Sequence, residues 1–172
     1  MDISVAKAQL RKQILARRPL SSQGLSERLI DFVQSAKIKS LASYVPLENE
    51  PDLSAFNSWA KIQGIEIWFP KINGSELLWG QSDLLPGSFG ISEPTDGMPL
   101  PEIEMLLVPA LAVDKVGNRL GKGKGFYDRA LRNFQGRSVG VVFDEELIED
   151  VPVEPHDFKL NGVITPKRSL FF

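Results

Sequence analysis

Hydrophobic positions recur along the chain with two different periods. From Met1 to Arg18, Val5, Ala8, Leu10, Ile14 and Leu15 fall at helical spacing and predict an amphipathic helix. Pro19 breaks it, and Leu25, Leu29, Ile30 and Phe32-Val33 supply the apolar face of a second helix ending near Lys37. Ser21 or Ser22 is placed to cap that helix. Ile38–Val45 reads as a buried strand, and Leu53–Ile62 as a helix that Gly64 closes. Ile65–Phe69 predicts a strand stopping at Pro70-Lys71, and Leu77-Leu78-Trp79 a shorter one. Gly80–Pro101 is rich in Gly, Pro, Ser and Asp and reads as one long irregular connection.

The second half repeats the alternation. Leu106-Leu107-Val108 is an apolar run, followed by a turn at Pro109 and a second run, Leu111-Ala112-Val113. A glycine-rich loop then closes on Phe126-Tyr127-Asp128-Arg129, which leads into a helix. Ser138–Phe143 and Gly162–Thr165 are further strands. Strands alternating with helices predict an α/β sandwich with a largely parallel sheet, in a single domain over residues 1–172.

Composition narrows the function classes. A net charge of −2 gives no electrostatic case for nucleic acid or an anionic membrane. No apolar run approaches a membrane span, and the N-terminal stretch lacks a secretory signal pattern, so a cytoplasmic protein is expected. With no cysteine, thiolate catalysis, disulfides and Cys-ligated zinc are excluded.

The chemistry concentrates in Leu106–Arg132. Gly121, Gly123 and Gly125 alternate with Lys122 and Lys124, after Arg119 and before Phe126-Tyr127-Asp128. A strand, a cationic glycine loop and a helix start form a layout that cradles phosphate, because backbone N–H groups can approach an anion there. A flexible basic loop has the same composition. The stretch is not a P-loop: Gly117-x-x-x-Gly121-Lys122 is one residue short, and Gly123 stands where a magnesium-binding hydroxyl belongs. Nor does Gly121-x-Gly123-x-Gly125 fit the dinucleotide fingerprint.

Lys7 and Arg11 stand four apart on the first helix, the spacing of a solvated face or of two cations reaching one polyphosphate. The acidic turn around Glu48, Glu50 and Asp52 lies just past a strand end, where α/β sheets collect ligands, although a solvated loop has the same signature. His156, the one histidine, reads as structural, and no Gly-x-Ser-x-Gly elbow accompanies it. Any metal would be a hard cation on oxygen ligands, most plausibly Mg²⁺ accompanying a polyphosphate.

From Gly117 to Asp128 the sequence closely resembles the 5-formyltetrahydrofolate cyclo-ligase family, also called methenyltetrahydrofolate synthetase. Matching segments include Lys7-x-x-x-Arg11, Glu50-Pro51-Asp52, Pro70-Lys71, Phe89-Gly90-Ile91-Ser92-Glu93-Pro94 and Val108–Ala112. Val151-Pro152-Val153-Glu154-Pro155-His156-Asp157 fits as well. The resemblance implies a three-layer α/β/α domain similar to the ribose-phosphate isomerase and CoA-transferase group. It implies ATP- and Mg²⁺-dependent conversion of 5-formyltetrahydrofolate to 5,10-methenyltetrahydrofolate. A monomer is expected, and the charge balance and lack of a span argue against nucleic-acid or membrane partners.

It also assigns residues. Lys7 and Arg11 would hold the ATP phosphates, with Arg119, Leu120, Gly121, Lys122, Gly123, Lys124, Gly125, Phe126 and Tyr127 closing around the nucleotide. Lys124, Arg119 and Tyr127 would serve catalysis. Val45 and Glu50 would bind the folate together with the loop from Lys122 to Phe126, and Asp128 and Asn161 would ligate Mg²⁺. Two departures stand out: Phe126 replaces the first tyrosine of a Tyr-Tyr pair, and Asn161 replaces an acid. A weaker or differently completed metal site is therefore expected. A family member that binds ATP or folate without turnover is the alternative.

Overall fold

The computed structural model describes residues 2–19 and 21–172; Met1, the first residue of the expected N-terminal helix, lies outside them. The helices are α1 (Ile3–Ala16), α2 (Leu25–Ser35), α3 (Ser54–Ile62) and α4 (Phe126–Leu131). The strands of the first half are β1 (Ser40–Ala42), β2 (Glu66–Asn73), β3 (Glu76–Gly80), β4 (Leu84–Pro86) and β5 (Ser92–Pro94). Those of the second half are β6 (Met105–Pro109), β7 (Ala112–Asp114), β8 (Arg119–Leu120), β9 (Arg137–Val141), β10 (Leu147–Ile148), β11 (Gly162–Ile164) and β12 (Ser169–Phe171).

Seven strands form the main sheet in the order β12-β11-β9-β6-β1-β2-β3. The inner five are parallel, and β3 and β12 close the two edges antiparallel. The expected mixed α/β fold with a largely parallel sheet is observed. Because strands alternate their faces, each one contributes to two cores. Leu41, Ile67, Phe69, Met105, Leu107, Val139, Val141 and Ile164 face α2 and α3, where Leu25, Leu29, Val33, Phe56 and Ala60 bury. Ala42, Leu106, Val108 and Val163 face the other way, towards Trp79, Leu131 of α4 and Leu160.

That second face is covered by the short α4 and a separate sheet, β10-β7-β8. The run Leu111–Val113 belongs to this small sheet, and α1 packs on it through Ile14 against Leu111, Ala112, Leu120 and Val151. Among the described residues, no helix is long and apolar enough to cross a membrane.

Several local expectations are corrected. The α1 stripe is narrower than the periodicity predicts: Ile14 is buried, but Val5 and Leu15 are exposed. Lys7 takes the place of an apolar residue on the buried face. It and Ile14 are seven apart, so the inward stripe runs Lys7, Arg11, Ile14. The N-cap of α2 is Gly24 and not a serine; Ser22 Oγ accepts instead from the Asp52 backbone N–H at 2.8 Å. β2 continues through Pro70-Lys71 to Asn73 as one half of a hairpin with β3. An edge-side partner on one flank tolerates the proline. The segment expected to be irregular contains a second hairpin, β4–β5. Asp96 ties down its base, accepting from the Gln81 and Ser82 backbone N–H groups. The Ser82 hydroxyl, followed by those backbone bonds, lowers the Asp96 carboxyl pKa to about 2.

Candidate active site

Among the inner parallel strands, the spatial order is β2-β1-β6-β9-β11, so chain direction across the sheet reverses between β1 and β6. Loops leaving two such strands diverge to opposite faces and open a crevice at their carboxyl ends. The cleft lies there. Tyr44, Val45, Leu47 and Glu50 follow β1, Pro109 and Ala110 end β6, and all six line a cavity of about 340 Å³.

The glycine loop forms a second wall, and its conformation needs glycine for two separate reasons. Gly123 has φ +96°, a left-handed conformation that side chains resist. At Gly121 a Cβ would sit 2.8 Å from Arg119 Nη1, so a side chain there would push that guanidinium away. Arg119 is itself held from both sides: Nη2 pairs with Asp128 Oδ1 at 3.0 Å, and Nη1 donates to the Pro109 carbonyl at 3.3 Å. Its Nε is buried without a hydrogen-bond partner among the described residues.

α1 supplies the third wall. Arg11 Nε donates to the Gly121 carbonyl at 2.8 Å, which fixes the helix against the loop and leaves the rest of the guanidinium at the cavity. Lys7 Nζ lies 2.7 Å from Glu154 Oε2 and 2.5 Å from Asp157 Oδ2. Burial works to lower the Lys7 pKa, but its bonds to the two carboxylates win and hold it above the ordinary amine range. Burial likewise works against the Asp157 charge, and Lys7 and the Glu154 backbone N–H overcome it, keeping the carboxyl below its ordinary value. The anchor behind α1 is Arg18, whose Nε pairs with Glu146 at 2.7 Å and whose Nη2 donates to the Ala110 carbonyl at 3.0 Å.

Across the cavity, Lys122 Nζ reaches Glu50 Oε1 at 2.5 Å, and Glu50 Oε2 accepts from the Leu47 backbone N–H at 2.9 Å. Lys124 has no carboxylate partner among the described residues; its ammonium rests 4.6 Å above the Phe89 ring. Burial, reinforced by the Glu50 charge, pushes the Tyr44 and Tyr127 phenols well above the usual range, so both stay protonated.

Lys7, Arg11, Val45, Glu50, Arg119, Leu120, the whole loop Gly121–Gly125, Phe126, Tyr127 and Asp128 line this one cavity. Asn161, assigned to the metal from the resemblance, does not line it. It lies exposed just before β11, where its Oδ1 accepts from Ser138 N at 2.8 Å and Ser138 Oγ at 3.1 Å. Those bonds tie together the amino ends of β9 and β11, whereas the cleft is at the carboxyl ends.

Sequence reasoning missed Tyr44, the two carboxylates on Lys7, and the Arg18–Glu146 anchor. Only Tyr44 carried a signal, as the residue next to Val45 at the strand end. His156, read as structural, is exposed beside Glu154 and Asp157, with ligand atoms of the three within 4.8 Å of one another. Lys7 already occupies the cation position between those carboxylates. Asp128 offers a single partly exposed carboxylate shared with Arg119, which suits a hard cation completing its shell with phosphate oxygens and water.

Fold and site together define an α/β protein whose switch-point cleft sets a cationic glycine loop opposite a carboxylate. The chain belongs to the 5-formyltetrahydrofolate cyclo-ligase family, whose model matches residues 3–166. It is 41% identical over 160 residues to the 5-formyltetrahydrofolate cyclo-ligase of Escherichia coli K12, covering 85% of this chain and 88% of that one. The Mycolicibacterium smegmatis protein of the same name is 33% identical over 186 residues, 96% of each chain. Among solved structures, Aquifex aeolicus 5,10-methenyltetrahydrofolate synthetase superposes with a TM-score of 0.81 at 32% identity, covering 96% of this chain and 92% of that one. The Mycoplasma pneumoniae synthetase gives 0.76 at 28% identity, over 93% and 98%.

Proposed function

We propose that the protein converts 5-formyltetrahydrofolate to 5,10-methenyltetrahydrofolate with cleavage of ATP and release of ADP and phosphate. The observation that carries this reading is the two-sided cleft, with Glu50 at one wall and the Gly121–Gly125 loop with Arg11 at the other. A carboxylate accepts well from the amino and ring N–H groups of a pteridine. The loop and the guanidinium suit a triphosphate.

The formamide oxygen of the substrate is a poor leaving group. In the first step that oxygen attacks the γ-phosphorus, an O–P bond forms, and the bond to ADP breaks. N10 then attacks the formyl carbon, the C–O bond breaks, phosphate leaves with both electrons, and N10 loses its proton. Neither step needs a protein nucleophile; positioning and charge stabilisation carry the rate.

Arg11 binds the polyphosphate from α1. Lys7, locally neutralised by Glu154 and Asp157, acts more by holding the helix than by contributing net charge. Lys124, free of any carboxylate among the described residues, moves from Phe89 onto the transferring phosphoryl group. Arg119 orders the loop and faces the same oxygens. Tyr127 stays protonated beside the nucleotide and donates a hydrogen bond there. Asp128 would hold Mg²⁺, which when bound offsets charge on the phosphate oxygens.

Purified protein with 5-formyltetrahydrofolate, ATP and Mg²⁺ should show ATP-dependent growth of the methenyl-folate absorbance band. Lys124→Ala should lower kcat about 10²- to 10³-fold, the loss typical of removing one charge-stabilising donor. Wild type that binds ATP or folate but shows no growth would instead identify a family member without turnover.

A further inference from the structure

Tyr44 stands at the carboxyl end of β1, where the chain leaves the sheet at the switch point. Its backbone is held firmly: the carbonyl accepts from Asn57 Nδ2 at 3.0 Å, and Ser43 beside it donates from Oγ to Asn57 Oδ1 at 2.6 Å. Its ring belongs to the core under α2 and α3, and the residue is 3% exposed, yet it also lines the cavity. The hydroxyl has no hydrogen-bond partner among the described residues. An orphaned phenol in a protein interior is costly, and native structures rarely keep one without a use.

The groups around it narrow that use. Glu50 and Tyr127 line the same cavity, and the Arg18–Glu146 pair lies behind, with Arg18 bonded to Ala110 at the end of β6. The Arg18 Nε and Nη2 groups and both Glu146 oxygens are satisfied with one another, the Ala110 carbonyl and the Phe143 N–H. The phenol stays protonated under the combined influence of burial and the Glu50 charge. Tyr44, whose buried O–H is a neutral donor, and Glu50, a carboxylate acceptor, thus line the same cleft.

We propose that Tyr44 is a substrate-binding residue whose hydroxyl donates to the carbonyl of the substrate's cyclic amide, while Glu50 accepts from the adjoining N–H. A pteridine presents that pair on one edge, an N–H donor and a C=O acceptor on neighbouring ring atoms. A carboxylate alone reads only the first of them. Tyr44 supplies the complementary donor and discriminates against heterocycles with no acceptor at that position. This deepens the proposed folate reaction and rests on it.

The test is Tyr44→Phe, which removes one oxygen and keeps the ring in the core. Folate KM and Kd should rise about five- to tenfold, with ATP KM unchanged. Thermal melting supplies an independent sign. Deleting an orphaned hydroxyl should leave the Tm of the ligand-free protein equal or higher, while the stabilisation gained on adding folate shrinks. A lower ligand-free Tm together with unchanged folate affinity would overturn the proposal, since it would mean the hydroxyl is satisfied within the protein. Equal folate KM in the two proteins would overturn it as well. Absence of turnover and of folate binding in wild type would instead overturn the reaction itself.

Discussion

Lys122 and Glu50 meet at 2.5 Å across the mouth of the cleft, joining the glycine loop to the turn after β1 although 72 residues separate them. Both halves of the site are thus linked before any ligand arrives. In the proposed reaction, a substrate that presents N–H donors to Glu50 has to share that carboxylate with Lys122 or displace it.

Glu50→Gln keeps the shape and removes the charge. A charge-assisted bond is worth about 1.5–3 kcal/mol, so folate KM should rise roughly 10- to 150-fold with little change in ATP KM. Steady-state kinetics with each substrate varied in turn checks this. Equal loss for both substrates would show that Glu50 acts through loop order and not through folate.

The Lys7–Asp157 pair should give a pH-dependent stability. Lys7 is raised above its ordinary 10.5, so its contribution is complete below that value and is lost as pH climbs through the higher folded value. Asp157 is lowered below 3.8, so its contribution is complete above that value and is lost as pH falls through the lower folded one. Asp157→Asn should therefore reduce stability by on the order of 1.5–3 kcal/mol between about pH 4 and 10. Denaturant melts at pH 7 and pH 3 should show the gap from wild type closing at the lower pH.

Asn161→Asp should leave the Mg²⁺ dependence of turnover unchanged. The residue lies at the amino ends of β9 and β11, and an aspartate there can still accept from the Ser138 N–H and hydroxyl. Asp128→Asn, within the cleft, should raise the Mg²⁺ requirement. A metal titration of both variants separates the two positions.

Gly140→Ala tests the packing of the second core. A Cβ there would lie 2.6 Å from Leu160 Cδ1 and 3.1 Å from Val113 Cγ2, both in a filled interior. Overpacking of this kind costs about 1–3 kcal/mol. Chemical denaturation should report that loss while the folate and ATP KM values stay near wild type.

The α/β class, the order of the major elements and about half of the residues lining the cleft were legible in the sequence. Those features are local: helical and strand periods decide elements, and alternating glycines with lysines mark an anion loop wherever the chain folds. Tertiary structure decided what each charge does. Lys7 was legible as a cation on a helix face, but its burial between Glu154 and Asp157 depends on a loop almost 150 residues away, which no spacing rule encodes. Asn161 was legible only as a substitution at a family position. Its separation from the cleft follows from the parallel sheet, which puts the amino ends of β9 and β11 at one end of the strands and their carboxyl ends at the other. The unpartnered Tyr44 hydroxyl was invisible for the same reason: a donor is orphaned only by what the folded chain fails to bring near it.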